Sequence, residues 1–255
     1  PNPQSPIPIA ILYFFFMLYD IIFIHKIYLK IKIFHKMTNN VLKEACVVDF
    51  FQAKKAFELG ANRLELCFDM HNDGITPSYG TAKYIKENIN IPVFSMIRPR
   101  GGNFIFNKDE INIMLYDIQV MVKQAKVDGI VIGCLTKDNE IDIDSTKLLI
   151  NKAREINNDI QITFHMAFDE INDIENNYKK NIDILINLGC NRILTKGGKK
   201  NAFEGKENIK KFINYANNRI IIVPGKSITN DNYQDLVLET GCKEIHGTKI
   251  VGVLN

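Results

Sequence analysis

The chain has 255 residues, 46% hydrophobic and 24% charged, enough for one large globular domain or two small ones. Its net charge of +3 sits in residues 1–36, where Lys26, Lys30, Lys32 and Lys36 stand against Asp20 alone; the remainder is formally neutral, which argues against a nucleic-acid-binding surface. The five cysteines (Cys46, Cys67, Cys134, Cys190, Cys242) are odd in number and far apart, with no Cys-x-x-Cys pair; this is not a disulfide framework or a zinc knuckle, and it suits a reducing compartment.

Residues 7–24 are strongly apolar, with Asp20 their only charge. The run is near the lower length limit for a membrane span, and an aspartate inside it costs up to roughly 2.5–3.5 kcal/mol. Lysines follow the run and none precede it, so an inserted helix would leave the main body in the cytosol. The segment is biased toward Ile, Phe, Tyr and Lys and stands apart from the rest. The expectation is therefore an unstructured or non-native leader over 1–36 before a start at Met37, with a membrane contact only if 7–24 is a real anchor.

From Met37 onward a short apolar run, an amphipathic stretch and a glycine recur in turn. The spacing predicts strands over 41–47, 62–67, 92–98, 128–133, 160–165, 191–195, 219–223 and 243–247. Most are too apolar to have a solvent face, as parallel strands covered on both sides should be. Helices are predicted over 50–59, capped by Asp49 with Gly60 beyond its end, then 78–88, 108–126, 145–157 with Asp144 as cap, 170–188, 202–217 and 230–240. The junctions Leu59-Gly60-Ala61-Asn62-Arg63-Leu64 and Leu188-Gly189-Cys190-Asn191-Arg192-Ile193 are near copies, and Thr240-Gly241-Cys242-Lys243-Glu244-Ile245 is a looser third. Eight repeated βα units close into a (β/α)8 TIM barrel. An open doubly wound sheet would need a Gly-rich turn after its first strand, and Cys46-Val47-Val48-Asp49 has none. Only about eight residues follow the eighth strand, so the eighth helix is expected to be missing from this chain or to belong to a longer one.

In such barrels the active site lies where strands end. The first two strands each carry Glu-x-Cys on one face: Glu44 with Cys46, and Glu65 with Cys67. Two thiolates at that range could bind Cu(I), a soft ion for soft ligands, with Met96 or Met166 nearby. The third strand runs into Arg98-Pro99-Arg100-Gly101-Gly102, two guanidiniums that need an anion, either Glu44 and Glu65 or a ligand carboxylate or phosphate. The fifth ends at His165, with Asp169 as its orienter or as a turn cap. Gly197-Gly198 with Lys196, and Gly225 with Ser227, fall where many barrels bind phosphate. The eighth gives His246. Cys134, Cys190 and Cys242 read as packing.

The blocks Glu44-Ala45-Cys46, Gly60–Cys67, Gly74-Ile75-Thr76-Pro77-Ser78, Ile97–Phe104, Thr163–Asp169 and Glu244-Ile245-His246, in that order over 41–247, resemble the signature blocks of the CutC copper-homeostasis family. The resemblance implies a TIM barrel, a cytoplasmic setting, a homo-oligomer and a Cu(I) site at Cys46 and Cys67. Two departures weaken a glycine-lined anion site, although the lysines could serve an anion too: Pro224-Gly225-Lys226-Ser227 replaces the family's usual Pro-Gly-Gly-Gly, and Lys196 stands where Ser is common. Two functional readings follow. One is a copper-binding protein. The other is a barrel enzyme on a small anionic substrate clamped by Arg98 and Arg100, with Gly197, Gly198, Gly225 and Ser227 around the anion and Glu44, Glu65, His165, Asp169 and His246 as catalytic candidates. A non-catalytic binding barrel is a third.

Overall fold

The computed structural model describes residues 23–26, 28 and 41–254. Most of the apolar run 7–24, and the rest of the leader but for a few helical residues, lie outside the described residues. Among the described residues no helix is long and apolar enough to cross a membrane.

Residues 41–255 form one compact unit. Its eight strands are β1 (Leu42–Val47), β2 (Arg63–Leu66), β3 (Val93–Met96), β4 (Gly129–Ile132), β5 (Gln161–Phe164), β6 (Arg192–Thr195), β7 (Ile221–Pro224) and β8 (Glu244–Gly247). All pair in parallel, in the order β7-β6-β5-β4-β3-β2-β1-β8. β7 and β8 lie side by side without a ladder, and Thr229 and Lys249 bridge them just past the strand ends. The result is a nearly closed TIM barrel. The strands are apolar and almost wholly buried because helices cover them outside and side chains fill them inside.

Seven helices join them: α1 (Phe50–Glu58), α2 (Tyr79–Asn88), α3 (Lys108–Ile118), α4 (Ile143–Ile156), α5 (Ile174–Leu188), α6 (Lys206–Ala216) and α7 (Tyr233–Thr240). Asp49 caps α1 by accepting from the Gln52 N–H at 2.8 Å. The cap of α4 is Asp142, which accepts from the Ser145 N–H at 3.0 Å, and not the expected Asp144. The single long helix expected over 108–126 is α3 followed by a π-helical stretch, Gln119–Ala125. The helices expected from 170 and 202 start later, because the tight turn Met166–Glu170 and the turns at 201–205 occupy those residues. At the three repeat junctions Gly60, Gly189 and Gly241 hold φ of 88°, 86° and 73°; the left-handed turn that returns each helix to its strand is open to glycine at no steric cost. Residues 248–254 follow β8 as turns, with Ile250 and Val251 buried.

Candidate metal centre and ligand cavity

The repeat has an electrostatic consequence inside the barrel. Arg63 on β2 and Arg192 on β6, equivalent residues of the two near copies, stack on the ring of Phe94, 4.7 and 5.3 Å from its centroid. Both donate to the same oxygen, Oε2 of Glu244, at 2.5 and 2.8 Å. Glu244 occupies the arginine's place in the third copy, so the one position of the repeat supplies two cations and their shared anion. Arg63 also bonds Glu44, and Arg192 donates to Gln161 Oε1 at 2.9 Å. Burial opposes the charge on Arg63, but Glu44 and Glu244 outweigh it and hold its pKa up. This layer closes the barrel beneath the site.

One layer higher, toward the C-terminal ends, the register sets Cys46 beside Glu65. The Sγ atoms of Cys46 and Cys67 are 3.9 Å apart, and Cys46 Sγ is 3.9 Å from Met70 Sδ. The Cys67 thiol donates to Glu65 Oε1 at 3.3 Å. His246 Nδ1 is 2.9 Å from Glu44 Oε1 and 3.9 Å from Glu65 Oε2. Cys46, Glu65 and His246 each bring one ligand atom to a cluster whose members lie within 4.8 Å of one another.

The charges sort themselves within this cluster. Burial pushes Glu44 upward, but Arg63 and His246 outweigh it and hold the carboxyl at about 2. Burial wins at Glu65, raised to about 8 against the pull of His246. Burial works against protonated His246, yet Glu65, Cys46 and Glu44 keep its pKa well above the usual histidine range. Hydrogen bonding from Cys67, with help from His246, brings Cys46 down to about 6 despite its burial, and the same contact and burial raise Cys67. Glu44 is thus held ionised, His246 is favoured as the imidazolium, and Cys46 is the more acidic of the two thiols.

Of the two partners the sequence offers Arg98 and Arg100, the protein carboxylates Glu44 and Glu65 are not the ones they meet: Glu44 pairs with Arg63 and His246. After Met96 the chain leaves the extended form for bends, so the two-residue alternation no longer sets both guanidiniums on one side. Arg98 donates to the carbonyls of Asn72, Asp73, Gly74 and Gly102 at 3.3, 3.1, 3.1 and 2.6 Å and stacks on Phe104. It lines the cavity but ties two loops together. Arg100 turns to Glu110 in the first turn of α3, at 2.5 Å, and lies outside the cavity lining.

His165 and Asp169 do not meet as base and orienter. His165 Nδ1 accepts from the Ala167 N–H at 3.1 Å, and Gly133 leaves room for its ring, where a Cβ would come within 2.4 Å of Cε1. Asp169 accepts from Thr195 Oγ1, Lys196 N and Gly198 N at 2.6, 2.9 and 2.7 Å, while Gly197 N donates to Thr195 Oγ1 at 2.9 Å. The backbone donors at Gly197-Gly198 thus already hold a carboxylate and a hydroxyl of the protein. Gly225 lies against Met166, Leu194 and His246, where a side chain would collide. Ser227 and Met166 line the cavity. Met96 packs with Cys46, Cys67, Phe94 and Val131. Cys134, Cys190 and Cys242 are buried and free, and burial raises all three thiols.

Cys46, Glu65, Cys67, Arg98, His165 and His246 line a cavity of about 1010 Å³ at the C-terminal ends of the strands, whereas Glu44, Asp169, Gly197, Gly198 and Gly225 lie outside its lining. Met70 and Lys249 belong to it without having been singled out from the sequence, and so does Lys226, which the sequence marks as a departure from the family's Pro-Gly-Gly-Gly. Met70 sits in a loop, where no periodicity marks it; the lysines lie next to strand ends, where position alone could have flagged them.

The family model described as CutC family matches residues 41–251. A CutC family protein of Enterococcus faecalis is 42% identical over 217 residues, covering 83% of this chain and all of that one. The human protein named copper homeostasis protein cutC homolog is 39% identical over 208 residues, 82% of this chain and 73% of that one. The solved structure of CutC from Streptococcus agalactiae superimposes with a TM-score of 0.77 at 38% identity, covering 82% of this chain and 99% of that one. With the barrel, its signature blocks in order and matches of this extent, the chain belongs to the CutC family.

Proposed function

We propose that the chain serves copper homeostasis by binding Cu(I) between Cys46 and Cys67. The observation that carries this reading is the 3.9 Å separation of two buried thiols on neighbouring strands, with the Met70 thioether 3.9 Å from one of them. Thiolate and thioether ligands favour Cu(I). Two metal–thiolate bonds of roughly 2.3 Å span at most about 4.6 Å, so a small rotamer adjustment would seat an ion between the sulfurs. The low pKa of Cys46 supplies a thiolate at neutral pH. The name of the human relative points the same way. The free, unpaired cysteines suit a cytoplasmic setting, and the family resemblance adds a homo-oligomer.

The Cys46–Glu65–His246 cluster favours a second reading of the metal, since a mixed S/O/N set suits a borderline divalent ion such as Zn(II). That ion would have to displace the proton His246 holds against Glu44. Anaerobic titration of the chain with Cu(I) against a competing chelator, repeated with Zn(II), separates the two. The expected result is one tightly held Cu(I), lost in Cys46→Ser/Cys67→Ser, with Zn(II) held far more weakly. Weak Cu(I) binding, or binding unchanged in the double variant, overturns the proposal.

A further inference from the structure

The mouth of the cavity is basic and its backbone is strained. Lys226 and Ser227, just past β7, hold φ of 75° and 65°, the left-handed region that side chains with a Cβ enter at a cost. Among the described residues seven other non-glycines have positive φ. Six are Asp or Asn, which tolerate it, and Lys126 ends the π-helical stretch. A Lys-Ser pair in that conformation at a cavity is the kind of outlier that gathers at ligand sites. Lys226 shares the cavity lining with Lys196 and Lys249. Lys196 pairs with Glu170 at 3.3 Å, whereas Lys226 and Lys249 have no carboxylate partner among the described residues.

A second observation comes from His165 in the same cavity. Its Nδ1 accepts from the Ala167 N–H, so the proton of the neutral ring is on Nε2. Burial, reinforced by the charge of Arg98, keeps the ring neutral, with a pKa of about 3. Nε2 is buried and has no hydrogen-bond partner among the described residues, and the same is true of Arg98 Nε. Arg98 lies over the Phe104 ring at 4.7 Å, and the His165 ring lies against it, tilted, at 4.8 Å. An unmet buried donor is costly, and an acceptor oxygen of a ligand would relieve it.

We propose that this cavity binds a small organic anion, a carboxylate or a phosphate ester, with its oxyanion held by Lys226 and Lys249 and another oxygen accepting from His165 Nε2–H. The volume is in the range that admits a small metabolite. The anion site shares no residue with the Cu(I) reading and does not depend on it. It also reassigns the anion from Arg98, whose two terminal nitrogens donate to loop carbonyls, and Arg100, which pairs with Glu110, to the rim beyond β7.

Calorimetric titration of the full chain with inorganic phosphate, glycerol 3-phosphate and succinate tests the site. At least one should bind saturably and one-to-one. Lys226→Gly should weaken it tenfold or more and also raise the melting temperature by about 2 °C or more, because glycine relieves the left-handed φ. His165→Phe should weaken binding similarly; should that variant misfold, the exposed Lys226→Gly carries the test alone. Cys46→Ser/Cys67→Ser should leave anion binding unchanged, which separates this site from the copper reading. No binding of any of the three at millimolar concentration, or unaltered affinity in Lys226→Gly, would overturn the proposal.

Discussion

Replacing Glu244 by Gln is the sharpest test of how the barrel interior is held together. The substitution keeps shape and volume, so no cavity term enters. It removes the one negative charge shared by Arg63 and Arg192, whose nitrogens lie 2.5 and 2.8 Å from the same oxygen. Glu244 is 6% exposed and Arg63 is 2% exposed, so solvent cannot replace the lost charge. Arg63 retains Glu44 and Arg192 retains Gln161, which keeps the loss near the lower end of the roughly 3–5 kcal/mol seen when one partner of a buried pair is removed. About 3 kcal/mol corresponds to a fall of about 6–12 °C in melting temperature for a domain of this size. Urea unfolding followed by circular dichroism should show a lower midpoint at unchanged slope. In the Glu244→Gln background, Arg192→Met should cost less than in the parent, a coupling of about 1–3 kcal/mol. A melting temperature within 2 °C of the parent, or strictly additive costs, would refute the shared-anion account.

Arg98→Ala should lower stability by about 2–4 kcal/mol, because four loop carbonyls lose a charged donor. Arg98→Lys should recover little of this, since an ammonium cannot reproduce the fork; limited proteolysis should cut first between residues 68 and 78 or 99 and 105, and an unchanged pattern would count against the tie. Acid should destabilise the protein in a defined window. The pKa of Glu44 falls from 4.5 to about 2 and that of His165 from 6.5 to about 3 on folding, so the unfolded chain binds a proton at His165 below pH 6.5, and at Glu44 below pH 4.5, that the folded one refuses. Each contribution is present above the unfolded pKa and is lost as pH falls through the window, from 6.5 toward 3 for His165 and from 4.5 toward 2 for Glu44. Glu44→Gln should reduce that slope by about 1 kcal/mol per pH unit, measured by urea unfolding at pH 4.5, 4.0 and 3.5; an unaltered slope would show that Glu44 is not held ionised.

The barrel is legible in the sequence because parallel strands buried on both faces are continuous apolar runs, and because each Leu-Gly or Thr-Gly junction needs a left-handed turn that glycine supplies. The two Glu-x-Cys strands were readable for the same reason: within a strand, residues two apart share a face. What could not be read was anything that depends on where the chain goes after a strand ends. Arg98 and Arg100 obey strand alternation only while the chain is extended, and it bends at once. The counter-ion of Arg63 sits 181 residues away on β8, and only closure of the sheet through β1 and β8 brings it there. In hindsight the third, looser repeat copy held the clue, since it carries Glu where the others carry Arg. Met70 reaches Cys46 from a single 3-10 turn, Met70–Asn72, after β2, which is too short for any hydrophobic period to report.

The most direct measurement is the copper K-edge X-ray absorption spectrum of the chain loaded with one Cu(I). The account predicts a ligand set of two or three sulfurs at roughly 2.3 Å, unchanged in Glu65→Gln and lost in Cys46→Ser/Cys67→Ser. Nitrogen or oxygen ligands in place of sulfur, or a two-sulfur set that survives the loss of both cysteines, would contradict it.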